Sequence, residues 1–133
     1  MFEEGGIAYV FMNYGIHYLF NVVTNVKAEP DAVLIRALEP VEGIDEMMKR
    51  RMKQDEKRIT SGPGALSKAL GINLEINGEN LAGKKRWIEA NDSANFRNFS
   101  VVKSRRIGIE YAGEHAMLPW RFYIKNNPWV SKP

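Results

Sequence analysis

The chain of 133 residues contains no cysteine. That excludes disulfides, zinc–thiolate sites and thiol nucleophiles. Only two histidines are present, His17 and His115, so a histidine-based metal site is not expected. No apolar run approaches the roughly 20 residues that a membrane-spanning helix needs. The opening Met1-Phe2-Glu3-Glu4-Gly5-Gly6 lacks the basic start and apolar core of a signal peptide. The protein is therefore expected to act inside the cell, unsecreted and without a membrane partner. The two N-x-S sequons, at Asn91 and Asn98, then read as chance matches. Repeats, low-complexity tracts and internal linkers are absent too, which predicts one domain over residues 1–133.

What is present is ordinary in amount and uneven in placement. Apolar residues make up 44% and charged residues 26%, as in a globular protein with a small core. The net charge is only +3, but the cations cluster as Lys49-Arg50-Arg51 with Lys53, Lys84-Lys85-Arg86, and Lys103 with Arg105-Arg106. Separated basic clusters suit a polyanion, since each phosphate neutralised adds salt-dependent affinity. They equally suit solvated faces.

The stretch AYVFMNYGIHYLFNVVT, residues 8–24, organises the rest. Residues 9–12 and 16–23 read as two strands, with Asn13, Tyr14 and Gly15 as a tight turn in which Gly15 supplies a positive φ. Two features need explaining. Tyr14 puts a large aromatic at the tip, where small polar residues are usual. Asn21 interrupts the apolar run of the second arm, and a buried amide is costly unless paired.

A third strand is predicted over 32–38 (AVLIRAL), apolar but for Arg36. An unpaired buried guanidinium is prohibitive. Arg36 therefore makes an ion pair, with Glu39 or Glu42 at hand, or points into a cleft. Asn21 and Arg36 would both be explained by one shared pocket. A helix is predicted over 42–59, with Ile44, Met48, Met52 and Ile59 near one face. A second opens at Ser61-Gly62-Pro63-Gly64 and closes at Gly71, with Leu66, Ala69 and Leu70 as its apolar stripe. Its start offers free N–H groups to a phosphate, or is a simple cap. Residues 73–85 read as loop, 86–90 as a short strand and 91–100 as a surface excursion. Strand character returns over 101–111, around Ile107 and Ile109, and over 120–125, with a packed tail at 128–131. The fold class expected is α+β: a curved, mainly antiparallel sheet with a protruding hairpin and packed helices.

Five ordered blocks carry the functional reading further: AYVFMNYGIHYLFN, LIRALEPVEG, SGPGALSKALGIN, RRIGIEYAGE and RFYIKNNPWVS. Together they span nearly the whole chain, and it resembles the 3-methyladenine (alkyladenine) DNA glycosylase family. The resemblance implies excision of alkylated and deaminated purines, such as 3-methyladenine, 7-methylguanine and hypoxanthine, from duplex DNA in base excision repair. It implies no metal, no organic cofactor, a monomer, and duplex DNA containing damaged purines as partner.

By the same resemblance, Tyr14 is the wedge that fills the stack once the target nucleotide has flipped out, with Ile16 against the neighbouring bases. Phe11 stands where the family usually has a pocket tyrosine, so stacking is kept and a hydroxyl lost. Asn21 matches the asparagine that crowds the amino group of normal guanine. Arg36 matches the arginine that helps hold the attacking water, and the backbone carbonyl of Ile107 another ligand of that water. His17 falls at a variable position, a DNA-backbone contact or a structural residue. The family's general-base glutamate belongs to a segment upstream of the hairpin, and this chain starts after it. Glu3 and Glu4 do not match that motif. The expectation is a domain incomplete at its N-terminus and, alone, weak or inactive: either a truncated enzyme or a module that recognises lesions without excising them. A structural or RNA-binding domain on a similar scaffold is the remaining alternative.

Overall fold

Period-two alternation of apolar side chains builds the first sheet. A computed structural model describes residues 1–53, 55–56, 58–90 and 99–132. Strand β1 (Ala8–Asn13) pairs antiparallel with β2 (His17–Val23), with Ala8 opposite Val22 and Asn13 opposite His17. On its other side β2 pairs antiparallel with β3 (Ala32–Leu34), Asn21 opposite Leu34. Successive side chains point to opposite faces. Ala8 and Val10 on one face join Leu66, Ile72, Ile76 and Leu81 in the core, and Tyr18, Phe20, Val22 and Ile35 pack against that cluster.

Helix α2 (Pro63–Leu70) covers this face as its sequence predicts. Pro63 sits in the first turn, where its missing N–H costs nothing. Gly71 ends the helix at φ 67°, and the N–H of Ile72 donates to the Ser67 carbonyl at 2.8 Å. Leu66 is fully buried, worth about 1.5–3 kcal/mol of apolar transfer.

Helix α1 (Ile44–Arg51) is much shorter than the 42–59 expected. Met52 takes a left-handed conformation at φ 53° and is 85% exposed, so it belongs to no core stripe. Between Met52 and Ile59 the sequence is KQDEKR, with no apolar side chain to bury along a helix face. Ile59 is fully buried, but beyond the helix. Strand β3 also stops early. The ladder continues for one bond, Ile35 N–H to the Phe20 carbonyl at 3.0 Å. The chain then turns to meet 60–62: Ala37 bridges Ser61, Gly62 N–H donates to the Arg36 carbonyl at 3.0 Å, and the Thr60 hydroxyl to the Leu38 carbonyl.

The outer edge of β1 is closed by residues read from sequence only as loop. A 3₁₀ helix, Leu74–Ile76, starts on Asn73, whose side chain accepts from the Glu75 N–H. Beyond it Ala8 N–H donates to the Glu79 carbonyl, Gly78 N–H to the Ala8 carbonyl and Leu81 N–H to the Gly6 carbonyl, each at 2.8 Å. The Asn77 side chain accepts from Val10 N–H at 2.9 Å. An edge that would otherwise present open donors is thus satisfied. The strand expected over 86–90 is a single bridge, Ala82 with Trp87. It has no longer ladder to join, and Trp87 and Ile88 are exposed.

By contacts the chain divides into two units, Met1–Ala90 and Asn91–Pro133. In the second, β4 (Val101–Ser104) pairs antiparallel with β5 (Arg121–Ile124). Strand character was expected through residue 111, but Gly108 turns the backbone at φ 74° and a 3₁₀ segment, Glu110–Met117, follows. Arg121 is buried. It donates to Ser104 Oγ and the Lys132 carbonyl, and its guanidinium lies 4.4 Å from the Tyr123 ring centre. Of the excursion expected over 91–100, residues 91–98 lie outside the described residues, and with them both sequon asparagines. Both sheets are antiparallel and helices accompany the first, so the class is α+β. Among the described residues no helix is long and apolar enough to cross a membrane.

Candidate base pocket and DNA-facing hairpin

The hairpin closes through Tyr14, Gly15 and Ile16, so β2 starts at His17 and not at residue 16. Tyr14 has φ 50° and Gly15 φ 69°, and Ile16 N–H donates to the Asn13 carbonyl at 3.2 Å. Positive φ at both central positions is the sign pattern of the primed turns that match strand twist. Glycine adopts it freely and tyrosine at a cost of roughly 1–3 kcal/mol. The strained residue is also widely exposed, Tyr14 at 85% beside Ile16 at 74%. Tip exposure with left-handed strain is what a side chain meant to project from the protein requires.

The face of the sheet opposite the core holds Phe11 and Asn21. Tyr9 and Phe11 alternate along β1, opposite Asn21 and Leu19 of β2, and Leu34 of β3 lies opposite Asn21; Asn13 pairs with His17, whose ring lies against Gly64 of α2. The Tyr9 and Phe11 rings are 5.5 Å apart at 35°. Asn21 is 8% exposed, and its Nδ2 donates to the Tyr9 carbonyl at 3.2 Å and the Leu19 carbonyl at 3.4 Å. Both amide protons are engaged, which fixes the carboxamide and satisfies the buried group. Arg36 follows the last ladder bond at Ile35, where the chain leaves β3, and its carbonyl accepts from the Gly62 N–H. It is partly buried.

Phe11 and Asn21 thus share one face, and Tyr14 and Ile16 extend from the end of the hairpin that carries it. Ile107 lies in the second unit, partly buried, between β4 and the 3₁₀ segment. His17 is exposed at the base of the tip. Tyr9 was not singled out from the sequence. Its i, i+2 spacing from Phe11 in a strand is the signal that marks it.

Several of the clustered cations have local partners. Lys49 and Arg50 each lie 3.7 Å from Glu46, and Arg50 Nη1 donates to the Ala69 carbonyl at 3.1 Å. Arg86 pairs with Glu79. Lys103 stands over Phe122, and Arg106 over Trp120. These pairs account for part of the clustering without any polyanion. Among the described residues no group of three or more His, Asp or Glu side chains is arranged to hold a metal ion.

Residues 1–128 match the model of a family described as methylpurine-DNA glycosylase. Curated relatives carry the name "putative 3-methyladenine DNA glycosylase". One from Clostridium tetani is 43% identical over 141 residues, covering 99% of this chain and 68% of the relative. One from Bacillus cytotoxicus is 44% identical over 140 residues, covering 99% and 69%. One from Carboxydothermus hydrogenoformans is 46% identical over 133 residues, covering 99% and 67%. The chain spans about two thirds of the length of each.

Proposed function

Because the chain belongs to the methylpurine-DNA glycosylase family, we propose that it recognises alkylated and deaminated purines, 3-methyladenine, 7-methylguanine and hypoxanthine among them, in duplex DNA and serves hydrolysis of their N-glycosidic bonds. The observation that carries this reading is the hairpin. A single sheet face holds an aromatic and an anchored amide, and the tip beyond them projects a strained, exposed tyrosine.

Each role follows from chemistry. Extruding a nucleotide costs a few kcal/mol of stacking and pairing. Tyr14 occupies the gap and opposes return of the base, with Ile16 against its neighbours. The flipped purine stacks on Phe11, worth about 1–3 kcal/mol, and a cationic alkylated purine gains further from the π face. Asn21 cannot swing aside, because both its amide protons are held by strand carbonyls. A purine carrying an extra exocyclic amino group therefore meets a fixed obstacle. In the reaction the bond from C1′ to the purine nitrogen breaks, and its electron pair leaves with the base. A water oxygen bonds to C1′ and loses a proton, which solvent or the departing base takes up. Arg36 orients that water.

A second reading rests on one observation. Among the described residues, the β1–β3 face holding Phe11 and Asn21 presents Tyr9, Asn13, Leu19 and Leu34 but no carboxylate. Glu4, near in sequence, is exposed and accepts from the Lys27 N–H. General-base assistance is worth about 10²–10⁴ in rate. On this reading the chain recognises the lesion and releases the base slowly or not at all.

One experiment tests both. The chain is assayed for binding and base release on a duplex holding one hypoxanthine, beside an undamaged duplex and the Tyr14→Ala and Arg36→Ala variants. Release abolished by Arg36→Ala supports the enzyme. Lesion preference without release, lost in Tyr14→Ala, supports the recognition module. Equal binding to both duplexes, unaffected by Tyr14→Ala, sinks both.

A further inference from the structure

A cavity of about 480 Å³ opens beside the hairpin tip, on the side of the sheet covered by α2. Its polar lining is His17, Tyr18, Arg50, Ser67, Lys68 and Asn73, and no carboxylate is among the described lining residues. Ser67 is 1% exposed, yet its Oγ has no hydrogen-bond partner among the described residues. A buried hydroxyl left open is uncommon enough to need a cause. Arg50 is held in place by the Ala69 carbonyl and Glu46, while Lys68 is free to extend from the exposed side of α2. His17 packs so closely on Gly64 that a Cβ there would come within 2.8 Å of the imidazole. Glycine at 64 is what lets the ring lie along the helix.

We propose that this cavity seats one backbone phosphate of the DNA strand entered by the hairpin tip, with Lys68 and Arg50 as its cations and the Ser67 hydroxyl as a donor. The proposal deepens the glycosylase reading and rests on it. Ile16 belongs both to the tip and to the cavity wall. A strand held against Ile16 therefore lies at the cavity mouth. A phosphodiester brings one negative charge and oxygens that only accept, which complements a lining of cations and an unused hydroxyl. Of the basic residues grouped in the sequence, Arg50 then has a DNA-facing role in addition to its structural one. Lys68, which stands outside those groups, is the more accessible contact.

The test uses the 133-residue chain and short duplexes, with and without one hypoxanthine, titrated between about 50 and 200 mM salt. Lys68→Ala is expected to weaken binding equally on both duplexes and to reduce the slope of log K against log salt by about 0.9. Ser67→Ala is expected to weaken binding about two- to tenfold without changing that slope. Single methylphosphonate replacements, which remove one backbone charge at a time, identify the source of the phosphate. At one position near the lesion the wild type loses clearly more affinity than Lys68→Ala does. An unchanged salt slope in a Lys68→Ala variant whose circular dichroism is native overturns the proposal. So does the lack of any methylphosphonate position coupled to Lys68. Tyr14→Ala on the same duplexes separates the two levels. If it removes lesion preference while Lys68→Ala keeps its slope, only the phosphate seat fails. If the wild type shows no lesion preference, the glycosylase reading fails and the seat falls with it.

Discussion

The root and the tip of the β1–β2 hairpin obey opposite rules although one ladder of hydrogen bonds joins them. At the root, Ala8, Val10 and Val23 are buried almost completely, and even the edge donor of Val10 is satisfied by the Asn77 side chain. At the tip, Tyr14 and Ile16 stand in solvent, and Tyr14 holds a backbone conformation that disfavours it. Stability explains the root residue by residue and explains nothing at the tip. A tip selected for folding alone would carry asparagine or aspartate before Gly15. The two ends also differ in what a substitution should do: root changes act on folding, and tip changes on recognition.

The largest effect on folding belongs to the layer beneath the root. Leu66→Ala removes a fully buried side chain from the cluster with Ala8, Val10 and Ile72. It should lower unfolding free energy by about 2–5 kcal/mol, read as a shift of the urea midpoint. DNA affinity of the fraction still folded should stay the same. An unshifted midpoint would remove Leu66 from the core. Arg36→Ala comes next and reads out differently. A roughly hundredfold fall in single-turnover base release is expected, the size seen when one oriented polar group is lost from an active site. Lesion affinity should change little. Loss of affinity with an unchanged rate constant would make Arg36 a binding residue. Asn77→Ala is smaller. It leaves the Val10 N–H without its acceptor and should cost about 1–3 kcal/mol of stability, with no change in lesion preference. A changed preference there would break the separation of root from tip.

Much of this contrast was legible in the sequence, and the exceptions have physical causes. The hairpin, α2 with its Pro63 start and Gly71 end, and β5 follow from local signals, since strand alternation and cap residues act within a few positions. The family resemblance selected Phe11, Asn21, Tyr14, Ile16 and Arg36. Phe11 and Asn21 lie on one face of the sheet, and Tyr14 and Ile16 are exposed at the hairpin tip. Helix α1 was overextended because Met52 and Ile59 fit a helical stripe, although the six residues between them offer nothing to bury. The closure of β1 by Asn77 and the loop to Leu81 was hidden, because a bond between residues 67 apart leaves no periodic trace. The open hydroxyl of Ser67 was hidden for the same reason: burial is a property of the whole packed layer.

Tyr14→Gly sharpens the comparison most, because it should move stability and function in opposite directions. Tyrosine at φ 50° carries a left-handed penalty of roughly 1–3 kcal/mol that glycine does not. Against this, glycine adds about 0.4–1 kcal/mol of chain entropy to the unfolded state. At 85% exposure the ring has little burial to lose. The balance is a stability unchanged or raised by up to about 2.5 kcal/mol, measurable as an upward shift of the thermal midpoint. Lesion binding should fall by about 1–3 kcal/mol, the size of one stacking contact. Tyr14→Ala separates the two contributions, since it removes the ring but keeps the positive-φ cost. It should lose the same binding and gain no stability. If Tyr14→Gly instead destabilises the protein by more than about 1 kcal/mol, the ring packs on the domain in solution, and the wedge assignment fails with the strain argument.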